Sequence, residues 1–520
     1  LDEAPWLQSV IEELLSLGVA EFCVGSGKRS APIVACLNRY TNVKKWEHFE
    51  ERSGAFFALA RSRATSRPVA MVVTSGTAAG ELLPACMEAY YTKTPLVLVT
   101  ADRPRRFRGT GAPQSAEQAG LFGIYTPTQF DLSAGESLDL SKWDKRSPLQ
   151  LNIALEEPKG LQEVTPAAFP LPLFQPPKRE SPWKDLTGFL SSAKNLFVIV
   201  SGLSPHQRQP VASFLQALKA PVYLEGISGL REKASLNLQQ ISNVGTLLKD
   251  AEGFGYPITH ILRIGSVPTL RAWRDFEGTS DLEVFSLSEE GFSGLSGRSA
   301  AVFDLSQLNP SHAEGYQGSG LPSSWKEADV DIQRQKLELF DRFPQAEQSL
   351  IYRLSETIQG QDRLYLGNSL PIREWDLAAS ASAPSDVYAN RGLNGIDGQL
   401  SSFFGLACSE RTNWGLFGDL TVLYDMVGPW ICQQLGDLRF RLVVINNGGG
   451  MIFKQVGLDE RFLNRHTLSF SGLADLWGWE YCKDLEKIEG QRCLVELTPN
   501  EQETDQFFQE MRRAKAKVCR

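Results

Sequence analysis

Histidine is scarce in this 520-residue chain: it has five, none at the spacing of a zinc-ligand pair, which argues against a zinc hydrolase. Cysteine is sparse as well. The eight thiols at 23, 36, 86, 408, 432, 482, 493 and 519 form no Cys-x-x-Cys pair and no Cys/His ligand set. They read as reduced thiols of a cytoplasmic-type compartment, several of them ordinary core residues. No apolar run reaches the ~18 residues that a membrane span needs. The opening stretch LDEAPWLQSV lacks the basic-then-apolar order of a signal peptide. A basic excess is missing too: 53 Lys and Arg against 61 Asp and Glu leave a formal net charge of −8, which argues against a nucleic-acid partner. Gly (44) and Pro (28) occur at ordinary frequency, so collagen-like and low-complexity classes drop out.

What is present is a globular α/β pattern. The length is enough for about three domains, each able to bury its own core. Residues 69–74 (VAMVVT) and 96–100 (LVLVT) are continuous apolar runs bounded by turn residues, and Ala78–Tyr91 between them reads as one helix. Runs buried on both faces imply a parallel sheet. A second set lies at 196–201, 220–224, 260–265 and 283–287, and a third at 363–367, 414–418, 441–446 and 493–497. Residues 165–183 carry six prolines, too many for a helix or a central strand. Residues 308–325 are turn-rich, with a helix expected from about 326. The expected organisation is therefore three doubly wound parallel-sheet domains at 1–175, 184–325 and 326–520. No fixed-period repeat links them, although three sheets of one type could be structural cousins.

Gly25-Ser26-Gly27-Lys28-Arg29-Ser30 first suggests a nucleotide P-loop, and it fails the test. Phe22 stands where the first Gly is needed, and Arg29 where Ser or Thr should follow the Lys. A Gly-rich turn before a helix over 31–37 is the plainer reading, one that can still offer N–H groups and Arg29 to an anion. Glu51, in HFEER before an Ala-rich helix, reads first as a dipole-favoured carboxylate at a helix start. Thr74-Ser75-Gly76-Thr77-Ala78-Ala79-Gly80 is a strand-to-helix crossing of small residues. The strongest local signal is Gly418-Asp419 at the end of an apolar strand, with Asn447 twenty-eight positions after Asp419 in VVINNGGG. One carboxylate, one amide oxygen and one carbonyl from a Gly loop suit a hard cation such as Mg2+, completed by phosphate oxygens and water. The ends of parallel strands are also where ligands bind.

These residues resemble the thiamine diphosphate (ThDP) motif, usually Gly-Asp-Gly followed some 25–30 residues on by Asn-Asn. The variant with Leu420 in third place is similar to the branch of 2-succinyl-5-enolpyruvyl-6-hydroxy-3-cyclohexene-1-carboxylate synthases (SEPHCHC synthases, the MenD family). VVTSGTAAGELLPACMEAYY, TADRPRRFRGTGAPQSAEQ and NRGLNGIDGQLS look like that family's signature stretches. The resemblance covers both outer domains and is looser in the middle one.

The resemblance implies a role for each matching residue. Glu51 falls where ThDP enzymes place the glutamate that hydrogen-bonds N1′ of the aminopyrimidine. Ile396 matches the bulky apolar residue under the cofactor, and Thr77 is counted as a further cofactor contact. Asp419, Asn447 and the Gly449 carbonyl match the ligands of Mg2+, for which Mn2+ can substitute. Ile452 and Phe453 match apolar lining of the pocket. Arg29, Arg103, Arg373 and Arg391 match cations for two acidic substrates, 2-oxoglutarate and isochorismate, with Ser369 and Gln114 as polar contacts. In the middle domain only Arg271 stands near the expected basic pair. Pro113 replaces an Asn of the pattern, and Lys28 a common Ser.

The implied reaction decarboxylates 2-oxoglutarate and adds the remaining four-carbon unit to isochorismate in a 1,4 fashion, a step of menaquinone or phylloquinone biosynthesis. It further implies a homodimer or homotetramer with sites at the dimer interface, Glu51 of one chain facing the partner subunit's Asp419. The compartment expected is the bacterial cytoplasm, or a plastid if a transit peptide has been removed. Two rivals share the motif: another ThDP-dependent decarboxylase or carboligase of the acetolactate-synthase type, and a non-catalytic subunit of the same fold.

Overall fold

The computed structural model describes all residues except 1–2, 158–164, 280, 381–383, 385 and 519–520, so Cys519 lies outside it. Three sheets, each wholly parallel, alternate with helices. The first contains β1 Glu21–Gly25, β2 Lys44–His48, β3 Val69–Val73, β4 Leu96–Asp102, β5 Thr128–Ser133 and β6 Leu149–Ala154, in the order β2-β1-β3-β4-β6-β5. The second contains β7 Leu196–Val200, β8 Val222–Leu224, β9 His260–Ile264, β10 Glu283–Ser288 and β11 Ala301–Val302, ordered β11-β10-β9-β7-β8. The third contains β12 Arg363–Leu366, β13 Asp386–Tyr388, β14 Asn413–Gly418, β15 Phe440–Ile445, β16 Glu480–Cys482 and β17 Arg492–Leu497, ordered β13-β12-β14-β15-β17-β16. The α/β class with three doubly wound parallel sheets is thus borne out.

The chain divides into two compact units. One comprises Leu1–Lys178, Gly392–Cys408 and Thr421–Leu438; the other comprises Arg179–Arg391, Ser409–Leu420 and Arg439–Arg520.

In the first unit, β3 and β4 are buried along their whole length, which is why they read as unbroken apolar runs. β6 is equally buried yet carries Gln150 and Asn152. Gln150 donates to the Gln118 carbonyl at 2.7 Å, and Asn152 accepts from Thr100 Oγ1 at 2.9 Å and donates to Asp102 and Asp131 at 3.0 and 2.8 Å. The expected helix over 78–91 is two pieces, Thr77–Gly80 and Leu83–Tyr91. Pro84 causes the break, because its ring cannot donate and clashes with the carbonyl four residues back. The helix Glu51–Thr65 packs on Gln399–Leu406, all of whose residues are buried. A Cβ on Gly398, at φ +61°, would fall 2.0 Å from the Phe56 ring, so only glycine fits that approach.

In the second unit one apolar core joins Phe197, Trp273 and Trp325 to Trp375, Leu416 and Phe507, so the second and third sheets share it. The helix expected from about 326 runs Ser323–Arg342. Burial pushes the thiols of Cys36 and Cys493 up to about 11, which keeps them protonated and inert. Among the described residues no helix is long and apolar enough to cross a membrane.

Candidate active site

Both outer sheets reverse their strand order between the first and third strands, and a crevice opens at the carboxyl ends of strands at such a point. In the first sheet those ends are Gly25, the last residue of β1, and Thr74–Gly76, after β3. Glu51 sits there, its Cγ 3.3 Å from a Cβ built on Gly25. The capping role that a helix-start carboxylate would normally fill belongs to Glu50, whose side chain accepts the N–H groups of Arg52 and Ser53 at 3.2 and 2.8 Å. Glu51 is left half-buried, and burial raises its carboxyl above the ordinary value. Gly27 is needed for packing: a Cβ there would meet the Thr74 side chain at 2.2 Å, a constraint unrelated to phosphate binding. Thr77 is exposed at the start of its short helix, and Ile396 is half-buried. The loop carrying Ile396 is fastened by Glu88, buried in the Leu83–Tyr91 helix. Its two oxygens accept the N–H groups of Gly392 and Leu393 at 2.7 and 2.8 Å.

The basic run after β4 sorts itself by partner. Arg105 pairs with Asp131 and Glu136, Arg106 with Glu156, and Arg108 with Asp102 and Asp131. Arg103 instead donates Nε to the Pro113 carbonyl at 2.8 Å and lies over the Phe107 ring, and among the described residues no carboxylate holds its guanidinium fork. Gln114 is exposed at φ +55° against Gly76, whose N–H is held by Gln118 at 2.8 Å. Arg29 is largely buried and already engaged, donating to the Leu155 carbonyl and to Glu157 at 3.0 and 2.9 Å. Lys28 also pairs with Glu157.

In the third sheet, Asp419 follows β14 and is 2% exposed. Its Oδ2 accepts the N–H groups of Gly448 and Gly449, both at 2.9 Å, and lies 3.2 Å from His466 Nε2. Burial raises its carboxyl, against the pull of these N–H groups. The two asparagines after β15 differ. Asn446 is structural, its amide donating to the Leu468 carbonyl and Glu496 at 2.8 and 2.6 Å. Asn447 donates Nδ2 to Glu347 at 3.0 Å, while its buried Oδ1 has no hydrogen-bond partner among the described residues. The Gly449 carbonyl accepts the Met451 N–H at 2.9 Å and retains a second lone pair. Ile452 is half-buried and Phe453 is 39% exposed, both opening the short helix Ile452–Gln455.

The remaining expected contacts lie at other strand ends of the same unit. Ser369 follows β12 at φ +73°, ψ −125°, a conformation that costs a non-glycine residue free energy and is met at working sites. The exposed Arg373 bonds the Ser369 carbonyl, and the buried Arg391 donates to Asn368 Oδ1 at 2.8 Å. Arg271 is exposed at the head of a five-residue helix. The turn before it is closed to anions, because buried Glu225 takes the N–H groups of Thr269 and Leu270 at 2.7 and 3.0 Å.

The comparisons with known proteins agree with this geometry. A family described as "Thiamine pyrophosphate enzyme, N-terminal TPP binding domain" matches residues 7–121. The SEPHCHC synthase of Bdellovibrio bacteriovorus is 39% identical, with 96% of this chain and 97% of that protein covered. That of Akkermansia muciniphila is 38% identical over 99% of each. The chain belongs to the SEPHCHC synthase family. More distant members match too, among them that of Staphylococcus epidermidis, 28% identical over 86% of this chain and 82% of its own length. These relatives are bacterial, so the plastid alternative finds no support.

As a SEPHCHC synthase family member the chain is a ThDP-dependent transferase. The donor set at Asp419 and Asn447 fits a hard cation, since a buried amide oxygen with no protein partner stands near a buried carboxylate held by the same turn. Among the described residues no cluster of three or more His, Cys, Asp and Glu forms an alternative metal nest. Glu347, His466 and Glu88 were missed from sequence. The first two are separated from the motif by loops and by 100 positions or 19, and nothing in their spacing marks them.

Proposed function

We propose that this chain decarboxylates 2-oxoglutarate and joins the remaining four-carbon unit to isochorismate by 1,4-addition. The product is 2-succinyl-5-enolpyruvyl-6-hydroxy-3-cyclohexene-1-carboxylate, and the setting is cytoplasmic menaquinone biosynthesis. The observation that carries this reading is the carboxylate of Glu51, freed at its helix start because Glu50 does the capping. When bound, ThDP supplies the electron sink that lets a 2-oxo acid lose CO2 and its carbonyl carbon act as a nucleophile. Glu51 would hold the proton shared with the pyrimidine N1′. A carboxyl raised by burial is the better partner there, being closer in basicity to a ring nitrogen. Asp419, Asn447 and Gly449 would hold Mg2+ or Mn2+ with the diphosphate. Thr77, Ile396, Ile452 and Phe453 would line the cofactor.

Arg29, Arg103, Arg271, Arg373 and Arg391 would receive the substrate carboxylates, with Gln114 and Ser369 orienting them; Arg103, held through Nε by the Pro113 carbonyl, would offer its guanidinium fork to one of them. We read residues 1–175, 184–325 and 326–520 as pyrimidine, middle and diphosphate domains. Phe49, 53% exposed, and Trp430, 37% exposed, touch at 4.8 Å two residues from Glu51. An open aromatic pair beside such a carboxylate favours a homodimer or homotetramer with the site completed across the interface. A protein that sediments as a strict monomer and is fully active would refute that assembly.

The acetolactate-synthase-like alternative would place a flavin in the middle domain, and the turn after β9 is already filled by Glu225. The deciding assay supplies 2-oxoglutarate and isochorismate with ThDP and Mg2+ and follows isochorismate loss. No consumption, together with turnover of pyruvate, would overturn the assignment.

A further inference from the structure

An asparagine amide presents an oxygen and a nitrogen of nearly equal size, and only the oxygen can bind a cation. Something must therefore choose the orientation of Asn447. Its neighbour Asn446 has its amide spent on Leu468 and Glu496. Among the described residues Asn447 has one partner for its amide, Glu347, whose Oε2 takes Nδ2 at 3.0 Å from 100 positions away. Glu347 is 3% exposed, and its own N–H is tied to Thr504 Oγ1 at 3.0 Å, so the carboxylate is held where it stands. Its buried Oε1 has no partner among the described residues, so this oxygen does not serve as a cap for the helix Glu347–Thr357.

Resting on the metal–diphosphate reading above, we infer that Glu347 is a positioning residue that holds the Asn447 amide with Oδ1 turned toward the cation. In its ionised form the Glu347 carboxyl can only accept hydrogen bonds, so it attracts the NH2 end and repels the oxygen. The flipped amide would set oxygen against oxygen and offer the cation two hydrogens. Groups that orient a metal's ligands in this way are worth roughly 10–100-fold in metal affinity when removed.

The test is Mn2+ titration of the full-length apoprotein in the presence of ThDP, read from the electron paramagnetic resonance signal of free Mn2+. Glu347→Leu should weaken Mn2+ binding about 10–100-fold, whereas Glu347→Gln, which keeps a carbonyl acceptor, should stay near wild type. Asn447→Asp should also lose binding, because two carboxylates would then face each other. Adding Glu347→Gln to Asn447→Asp should recover much of that loss, since the glutamine amide can donate to the new carboxylate. This second pair of near-isosteric variants keeps the test open if the leucine variant does not fold. Wild-type affinity in Glu347→Leu, or a double variant no better than Asn447→Asp, overturns the inference alone. Unchanged binding in Asp419→Ala would overturn the metal reading itself, and the inference with it.

Discussion

Glu88 offers a test of how the loop bearing Ile396 is held. Its carboxylate is 4% exposed and accepts two consecutive backbone N–H groups, of Gly392 at 2.7 Å and Leu393 at 2.8 Å. Hydrogen bonds to a charged group are worth about 1.5–3 kcal/mol each, with part recovered when water reaches the freed N–H groups, so Glu88→Ala should cost the fastened loop about 2–4 kcal/mol. If turnover needs the loop fastened, kcat/KM falls by up to that free energy, roughly 30-fold to 700-fold at about 1.4 kcal/mol per decade. Glu88→Gln keeps one acceptor and should lie between. The assays are isochorismate consumption and hydrogen exchange at the amides of 392 and 393, which should lose protection together with activity. Wild-type kcat/KM in Glu88→Ala, with those amides still protected, would show that the loop is held by other means and would refute the reasoning.

Three further outcomes are expected. Glu51→Gln should abolish turnover while leaving the thermal melt close to wild type; an active variant would remove the catalytic assignment. Ser369→Gly should raise the melting temperature, because glycine relieves about 1–3 kcal/mol of strain at φ +73°, yet lower kcat/KM through the lost hydroxyl. A fall in both would mean that the conformation is not strained. Asp425 is fully buried against Ser53 and Ser401, with Glu50 and Arg52 as its charged neighbours, and burial pushes it up to about 6. Raised above its unfolded value, it contributes stability that is fully present below about pH 4 and lost as pH rises through about 6, amounting to about 3 kcal/mol by pH 7. The stability advantage of wild type over Asp425→Asn should therefore shrink from pH 4 to pH 7 in denaturant melts at fixed protein concentration, and a constant difference would contradict the burial argument.

The strands that could be read in advance are those with water on neither face. VAMVV, LVLVT and LFVIV leave no alternation to confuse with a helix. The edge strands β2 and β16 were not foreseen, because KKWEH and EYC are short and half-exposed and carry the charges that blunt an edge. Pro84 was visible and should have split the 78–91 helix. Of the site, the parts carried by a contiguous motif were legible: Asp419 and Asn447 by their spacing, Glu51 by resemblance. What stayed hidden was the physical reason for each choice: that Glu50 does the capping, that Asn446 is spent on Leu468 and Glu496, and that Arg105, Arg106 and Arg108 are paired with carboxylates depends on partners brought in by folding.

The first and third sheets share one strand order, second-first-third-fourth-sixth-fifth, although no repeat is visible in the sequence. Strand order fixes where a parallel sheet opens its crevice, so each outer sheet presents the same kind of cleft beyond its first and third strands. The first sheet fills that position with Glu51 and small-residue turns. The third fills it with Ser369 and Asp419. One topology used twice thus yields two chemically different halves, one with a half-buried carboxylate and one with a buried carboxylate held by a glycine turn. It also explains how a chain of net charge −8 can serve acidic ligands. The total charge is set by surfaces everywhere. The sign at a crevice is set by the few residues at those strand ends, and by which arginines the neighbouring carboxylates leave free.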